Sequence, residues 1–229
     1  MKRSGPLFLL VFILVLAVVM ALNMRLKSHR REARAPFPTP ESLPQAPDLD
    51  SLPGDSLLYG RLLQHRRQLD TVFQGDESPL EESDRAHFAG LKYFPFDPSY
   101  RLLIKLTPPE RRDQVILMDT KGTERTYERF GSLNFALEGQ AQRLTLFRDP
   151  GHGYYFLPFR DMTTDRETYG VGRYVEPKET APGLYLIDFN YAYNPYCAYS
   201  NRWSCPVPPP ENRLTVAVRA GEMKFHPDS

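Results

Sequence analysis

The feature that most constrains this chain is a train of short strand-like runs between Tyr100 and Phe159. Tyr100–Leu106, Gln114–Met118, Thr123–Arg129, Ser132–Leu137, Ala141–Phe147 and Tyr154–Phe159 each read as a strand, and Leu214–Arg219 reads as the last one. In Ser132–Leu137, for example, Leu133, Phe135 and Leu137 share one face, because strand side chains point alternately to opposite sides. Pro108-Pro109, Asp119-Thr120-Lys121-Gly122, Glu138-Gly139-Gln140 and Asp149-Pro150-Gly151 separate the runs. Turns spaced by roughly eight to twelve residues belong to an antiparallel meander. A sheet this long closes into a barrel or packs as a sandwich. The expected fold is therefore mainly β over residues 91–225, with 226–229 as a tail. Composition agrees: aromatics make up 12% and prolines number 22, while 41% hydrophobic residues suffice for one core.

Residues 55–90 read as a helical connector. Between Asp55 and Phe73, Leu58, Leu62, Leu69 and Phe73 recur at helical spacing, and Asp55 or Ser56 can cap the helix. Arg61, His65, Arg66 and Arg67 are assigned to the opposite, solvated side. Ser78-Pro79-Leu80-Glu81 fits a capping box with proline at the first helical position, predicting a short helix to about His87.

Upstream lie a basic and then proline-rich stalk, 28–54, and a membrane anchor with its tip, 1–27. Residues 6–24 carry no charge; as a helix they rise about 28 Å, close to the roughly 30 Å of bilayer hydrocarbon. A cleaved signal peptide is the alternative, but Val19-Met20-Ala21 is a poor cleavage site and the anchor is favoured. The proline-rich stalk, which suits an extended spacer, and the paired cysteines place the main domain outside the cytoplasm; the basic residues after the apolar run argue the other way. Charge divides with position. Residues 1–35 hold seven Lys/Arg and one Glu, whereas the rest holds 22 Lys/Arg against 27 Asp/Glu. The domain thus lacks the basic footprint that nucleic-acid binding requires.

The densest chemistry runs from Phe159 to Arg213: FRDMTTDRETYGVGRYV, then LIDFNYAYNPYCAYSNRWSCPVPPPENR. Tyrosine area with Asn, Arg and carboxylate groups suits recognition of a small polar ligand or an envelope protein. The candidate ligand residues are Arg160, Asp161, Glu167, Tyr169, Arg173, Asp188, Asn190, Tyr193, Asn194, Glu211, Asn212 and Arg213. A rival reading makes Asp161, Glu167, Asp188 or Glu211 the paired carboxylates of a hydrolase, which requires two of them to share a pocket; a third is a structural envelope scaffold. The plainer role for these carboxylates is to brace loops against arginines. Gly170-x-Gly172 lacks the rest of a phosphate loop, and no Gly-x-Ser-x-Gly or His-Glu-x-x-His motif occurs, so no cofactor is indicated. Cys197 and Cys205 admit three readings: a disulfide worth roughly 2.5 kcal/mol, two buried thiols, or metal ligands. Their spacing is unlike that of zinc knuckles, and no metal site is expected.

These two runs, with the closing VAVRAGE, resemble an uncharacterised bacterial family catalogued as domain of unknown function 1684. The likeness covers about Phe88 to Glu222. It implies a β-rich fold, and in the shorter members an amino-terminal hydrophobic segment; it implies no activity and no catalytic residue.

Overall fold

The computed structural model describes residues 54–226. The expected anchor at 6–24, the stalk up to residue 53 and the last three residues lie outside the described residues. Among the described residues no helix is long and apolar enough to cross a membrane.

Eight strands form one antiparallel sheet: β1 (Arg101–Thr107), β2 (Gln114–Met118), β3 (Glu124–Leu137), β4 (Gln140–Arg148), β5 (Tyr155–Phe159), β6 (Arg173–Val175), β7 (Lys178–Ala181) and β8 (Leu184–Asp188). Their order is β6-β5-β4-β3-β1-β8-β7, with β2 on β3. The 14-residue β3 merges two runs that the sequence reading kept apart. Its first half pairs with β2 and its second half, through Ser132 and Leu133, with β1. Its other edge pairs with β4, and the register slips there between Arg129 and Gly131. Such a bulge bends the strand and sharpens its twist. The β3–β4 turn, Glu138-Gly139, has φ of 50° and 70°, the left-handed pair that a two-residue hairpin needs.

The sheet does not close. In the ladder order β6 and β7 are its two ends, and it forms a curled half-barrel instead of the barrel or sandwich expected. The physical reason is the filling of its trough. Leu214, Val216, Val218 and Ala220 are buried in one core with Leu133, Leu144, Phe159, Ile187 and Phe189 from the sheet side. Each large side chain so buried contributes about 1.5–3 kcal/mol. The sequence reading took Leu214–Arg219 for a last strand. Its alternation holds, but it joins no ladder. Leu214 N–H donates to Arg160 O at 2.8 Å, and Val216 O accepts from Met162 N–H at 3.0 Å.

Helix α1 (Gly54–Gln74) buries Leu62 and Phe73. Phe73 joins a second cluster with Leu80, Ala198 and Tyr199. Asp70 holds the following loop by accepting Leu91 N–H at 2.9 Å. The second helix, α2 (Glu82–Arg85), is a single turn whose N-cap is Glu81. Ser78 is therefore not its cap: the Ser78 hydroxyl donates to Phe73 O and accepts Leu80 N–H, tying the end of α1 to the turn.

Candidate functional site

The site is best built outward from Arg173. Gly172 stands before it with φ +120°, and a Cβ there would lie 2.7 Å from Phe159 O. Only glycine lets the backbone pass so close, and the pass carries Arg173 under the sheet. Arg173 is 1% exposed. Its Nη2 donates to Asp161 Oδ2 at 2.8 Å and to Val218 O at 2.7 Å. Its Nη1 donates to Ala220 O at 2.5 Å and to Glu222 O at 3.1 Å. One guanidinium thus does for the 218–222 segment what a neighbouring strand would do elsewhere. Burial lowers the Arg173 pKa, and Asp161 opposes that shift. Asp161 also accepts the backbone and hydroxyl of Thr163.

Glu222 is the next member. Gly221, at φ +76°, turns the chain where a Cβ would lie 2.5 Å from Ala192 O. Glu222 is 2% exposed. It accepts Asn194 N–H at 3.0 Å, Asn194 Nδ2 at 2.9 Å and the Tyr199 hydroxyl. Burial pushes its pKa up to about 7, against these hydrogen bonds and Arg173. Its backbone bridges Tyr93. The Arg66 guanidinium lies 4.2 Å above the Tyr93 ring, and its Nη2 donates to Phe94 O at 3.3 Å.

Among the described residues, five buried side-chain polar atoms have no hydrogen-bond partner. Four of them belong to this group: Arg66 Nε, Tyr93 Oη, Arg173 Nε and Asn194 Oδ1. Buried polar groups are almost always paired, so such a concentration calls for an explanation.

Of the sequence candidates, the structure brings three into this centre: Asp161, Arg173 and Asn194. The others are dispersed. Asn212 is fully buried, accepting Thr145 N–H and donating to Thr145 O and Pro158 O, so it fastens β4 to β5. Asp188 caps a short turn by accepting Asn190 N–H, and the Asn190 amide accepts Asp97 N–H and donates to Asp97 O; Arg101 lies 3.6 Å from Asp188, and burial raises the Asp188 pKa. Glu167 pairs with Arg219 and Glu211 with Arg129, both near the surface. Arg160 Nε donates to Val171 O, and its backbone bridges the exposed Arg213. The Tyr193 hydroxyl donates to Glu176 at 2.5 Å. Tyr169 donates to Cys197 O at 3.3 Å. Each of the four carboxylates offered for a hydrolase is thus matched to an arginine. Cys197 and Cys205 are free thiols, so the disulfide considered from sequence is not made in this structure.

Glu222, Tyr199, Tyr93 and Arg66 were missed, though two of them left a signal. Glu222 continues the inward series 214, 216, 218, 220, where a carboxylate is out of place. Arg66 lies four residues after buried Leu62 and seven before buried Phe73, on the apolar stripe of α1 and not on the solvated side assigned to it. Its neighbour His65 packs 5.0 Å from the Tyr191 ring, and burial lowers its pKa to about 4.

No curated protein matches the chain. The solution NMR structure of an uncharacterized protein of Haloarcula marismortui is similar, at 36% identity and a TM-score of 0.57, over 72% of this chain and 94% of that one. Residues 86–223 match a family described as protein of unknown function, DUF1684. That span contains both Arg173 and Glu222, and the chain belongs to the DUF1684 family.

Proposed function

We propose that this protein binds a small polar molecule at the centre formed by Arg66, Tyr93, Arg173, Asn194 and Glu222, on a domain tethered to the membrane by residues 6–24. The observation that carries this reading is the clustering of partnerless buried groups. Two of these groups are guanidinium N–H donors, one is a phenol and one is an amide carbonyl acceptor. A ligand with carboxylate or carbonyl oxygens and at least one hydroxyl or N–H carries the groups complementary to these four. Arg66 belongs to α1, so entry requires that helix to give way. The tether is supported by the length of the uncharged run and its basic flanks. The pairing of Asp161, Glu167, Asp188 and Glu211 with separate arginines supports binding over hydrolysis.

Ordered water is the competing occupant, since buried waters commonly bridge such groups. Thermal-shift titration of the full chain with small hydroxy acids, amino acids and monosaccharides separates the two. At least one class should raise Tm, and Tyr93→Phe, which removes only an unpartnered hydroxyl, should abolish that shift. No stabiliser in the panel, or an equal shift in Tyr93→Phe, leaves water as the occupant and sinks the reading.

A further inference from the structure

The two cysteines lie outside the polar centre and are not used by it. Cys197 sits in the short turn Tyr196–Ala198, and Cys205 begins the proline-rich strip after it. Cys197 N–H donates to Cys205 Sγ at 3.3 Å, which brings the two residues into direct contact. The Tyr169 hydroxyl lies 3.7 Å from Cys197 Sγ. Cys205 is 4% exposed, whereas Cys197 is only half-buried. The pair is therefore asymmetric: Cys197 is the more exposed residue and its sulfur faces a phenol, whereas Cys205 is buried and its sulfur accepts a backbone N–H.

We propose that Cys197 and Cys205 form a reactive dithiol that reduces small disulfides, with Cys197 as the attacking sulfur and Cys205 as the resolving one. The Cys197 thiolate attacks one sulfur of the small disulfide and forms a mixed disulfide, releasing the other half as a thiolate. That thiolate takes the Cys205 proton. Cys205 sulfur then attacks Cys197 Sγ, expelling the second half, which is protonated from solvent. Two electrons have passed to the small disulfide, which leaves as two thiols, and the protein carries a Cys197–Cys205 bond. The electrostatics agree: the hydrogen bond from Cys205 lowers the Cys197 pKa, with Tyr169 and Thr120 adding and burial opposing. The same bond, with burial, raises Cys205.

The probe is 2-hydroxyethyl disulfide, added to the reduced full chain under native conditions and followed by intact mass. The wild type should lose two hydrogens and yield a bridged 197–205 peptide. Cys205→Ser should stop at a mixed disulfide on Cys197. Cys197→Ser should leave Cys205 at least about tenfold slower to react than Cys197 is in Cys205→Ser. Wild-type protein that stays unchanged while folded, or Cys197 capped with no internal bridge, overturns the proposal. So does equal reactivity of the two single variants. If Cys205→Ser does not fold, the wild-type mass and bridged peptide decide alone. The outcome is independent of whether Tyr93 binds a ligand.

Discussion

At the residue scale, two buried ionisable side chains, Arg173 and Glu222, make the most specific predictions about stability. Arg173 is a buried charge with one carboxylate partner and three carbonyl partners. Removing one partner of such a pair leaves the other charge stranded, which costs far more than the pair itself is worth. Arg173→Met should therefore destabilise the fold by roughly 3–5 kcal/mol in urea titrations, and Arg173→Met with Asp161→Asn should recover part of that. A loss below about 1 kcal/mol would show that the carbonyls are satisfied in some other way. Glu222 makes a prediction in pH. Its folded pKa of about 7 lies above the usual 4.5, so the folded state holds this proton longer than the unfolded state. Its contribution is full below pH 4.5, declines as pH rises toward 7 and is level beyond, a change on the order of 3 kcal/mol. His65 works in the opposite sense. With a folded pKa of about 4, it stabilises above its ordinary value of 6.5 and loses that contribution as pH falls. The readout is therefore the wild-type minus Glu222→Gln difference in unfolding free energy at pH 5 and pH 8. That difference should shift against the wild type at the higher pH, and equal differences at both pH values would mean the carboxyl titrates normally.

At the element scale, what could be read from sequence was what depends on local pattern. The strand from Gln114 to Met118 was placed to the residue, because alternation and flanking turns fix it without help from the rest of the chain. The short β7, exposed at every position, gave no apolar signal and was found only by its pairing with β8. The 214–222 segment was misjudged for a different reason. Inward alternation shows which face is buried, but not whether a strand or a guanidinium answers the backbone. The site was legible in part for the same reason: Asp161, Arg173 and Asn194 stood out by type, whereas Arg66 lay on the helix side assigned to water. Gly221 carries a prediction for this segment. A methyl group there meets Ala192 O and Phe189 O, both backbone atoms, at 2.5 and 2.7 Å, in a left-handed conformation. Gly221→Ala should cost roughly 2–4 kcal/mol. Gly122→Ala, with similar φ and nothing within 4 Å, should cost only about 1 kcal/mol. Equal midpoints for the two variants in parallel urea titrations would place the constraint in the torsion and not in the contact.

At the scale of the whole molecule, an open sheet is completed by a segment that is not part of it. Leu214, Val216, Val218 and Ala220 fill the trough, and Arg173 holds their backbone there. A protein cut after Ala217 loses two of those plugs, the three carbonyls and Glu222 together. It should show no cooperative unfolding transition and no near-UV dichroism, while a cut after Phe225 should keep both. The loop from Cys197 to Cys205 adds a second closure. Arg202 reaches Ser78 O and Leu80 O, and Trp203 Nε1 donates to Pro79 O at 3.1 Å, so this loop clasps the turn after α1. Dependence on Arg173 also bears on biogenesis. A ribosome that has made the whole sheet has still not made the three carbonyl partners of that guanidinium. Until translation runs past Glu222, the nascent chain carries a cation answered by Asp161 alone beneath an open hydrophobic trough, a form that chaperones and proteases are suited to recognise.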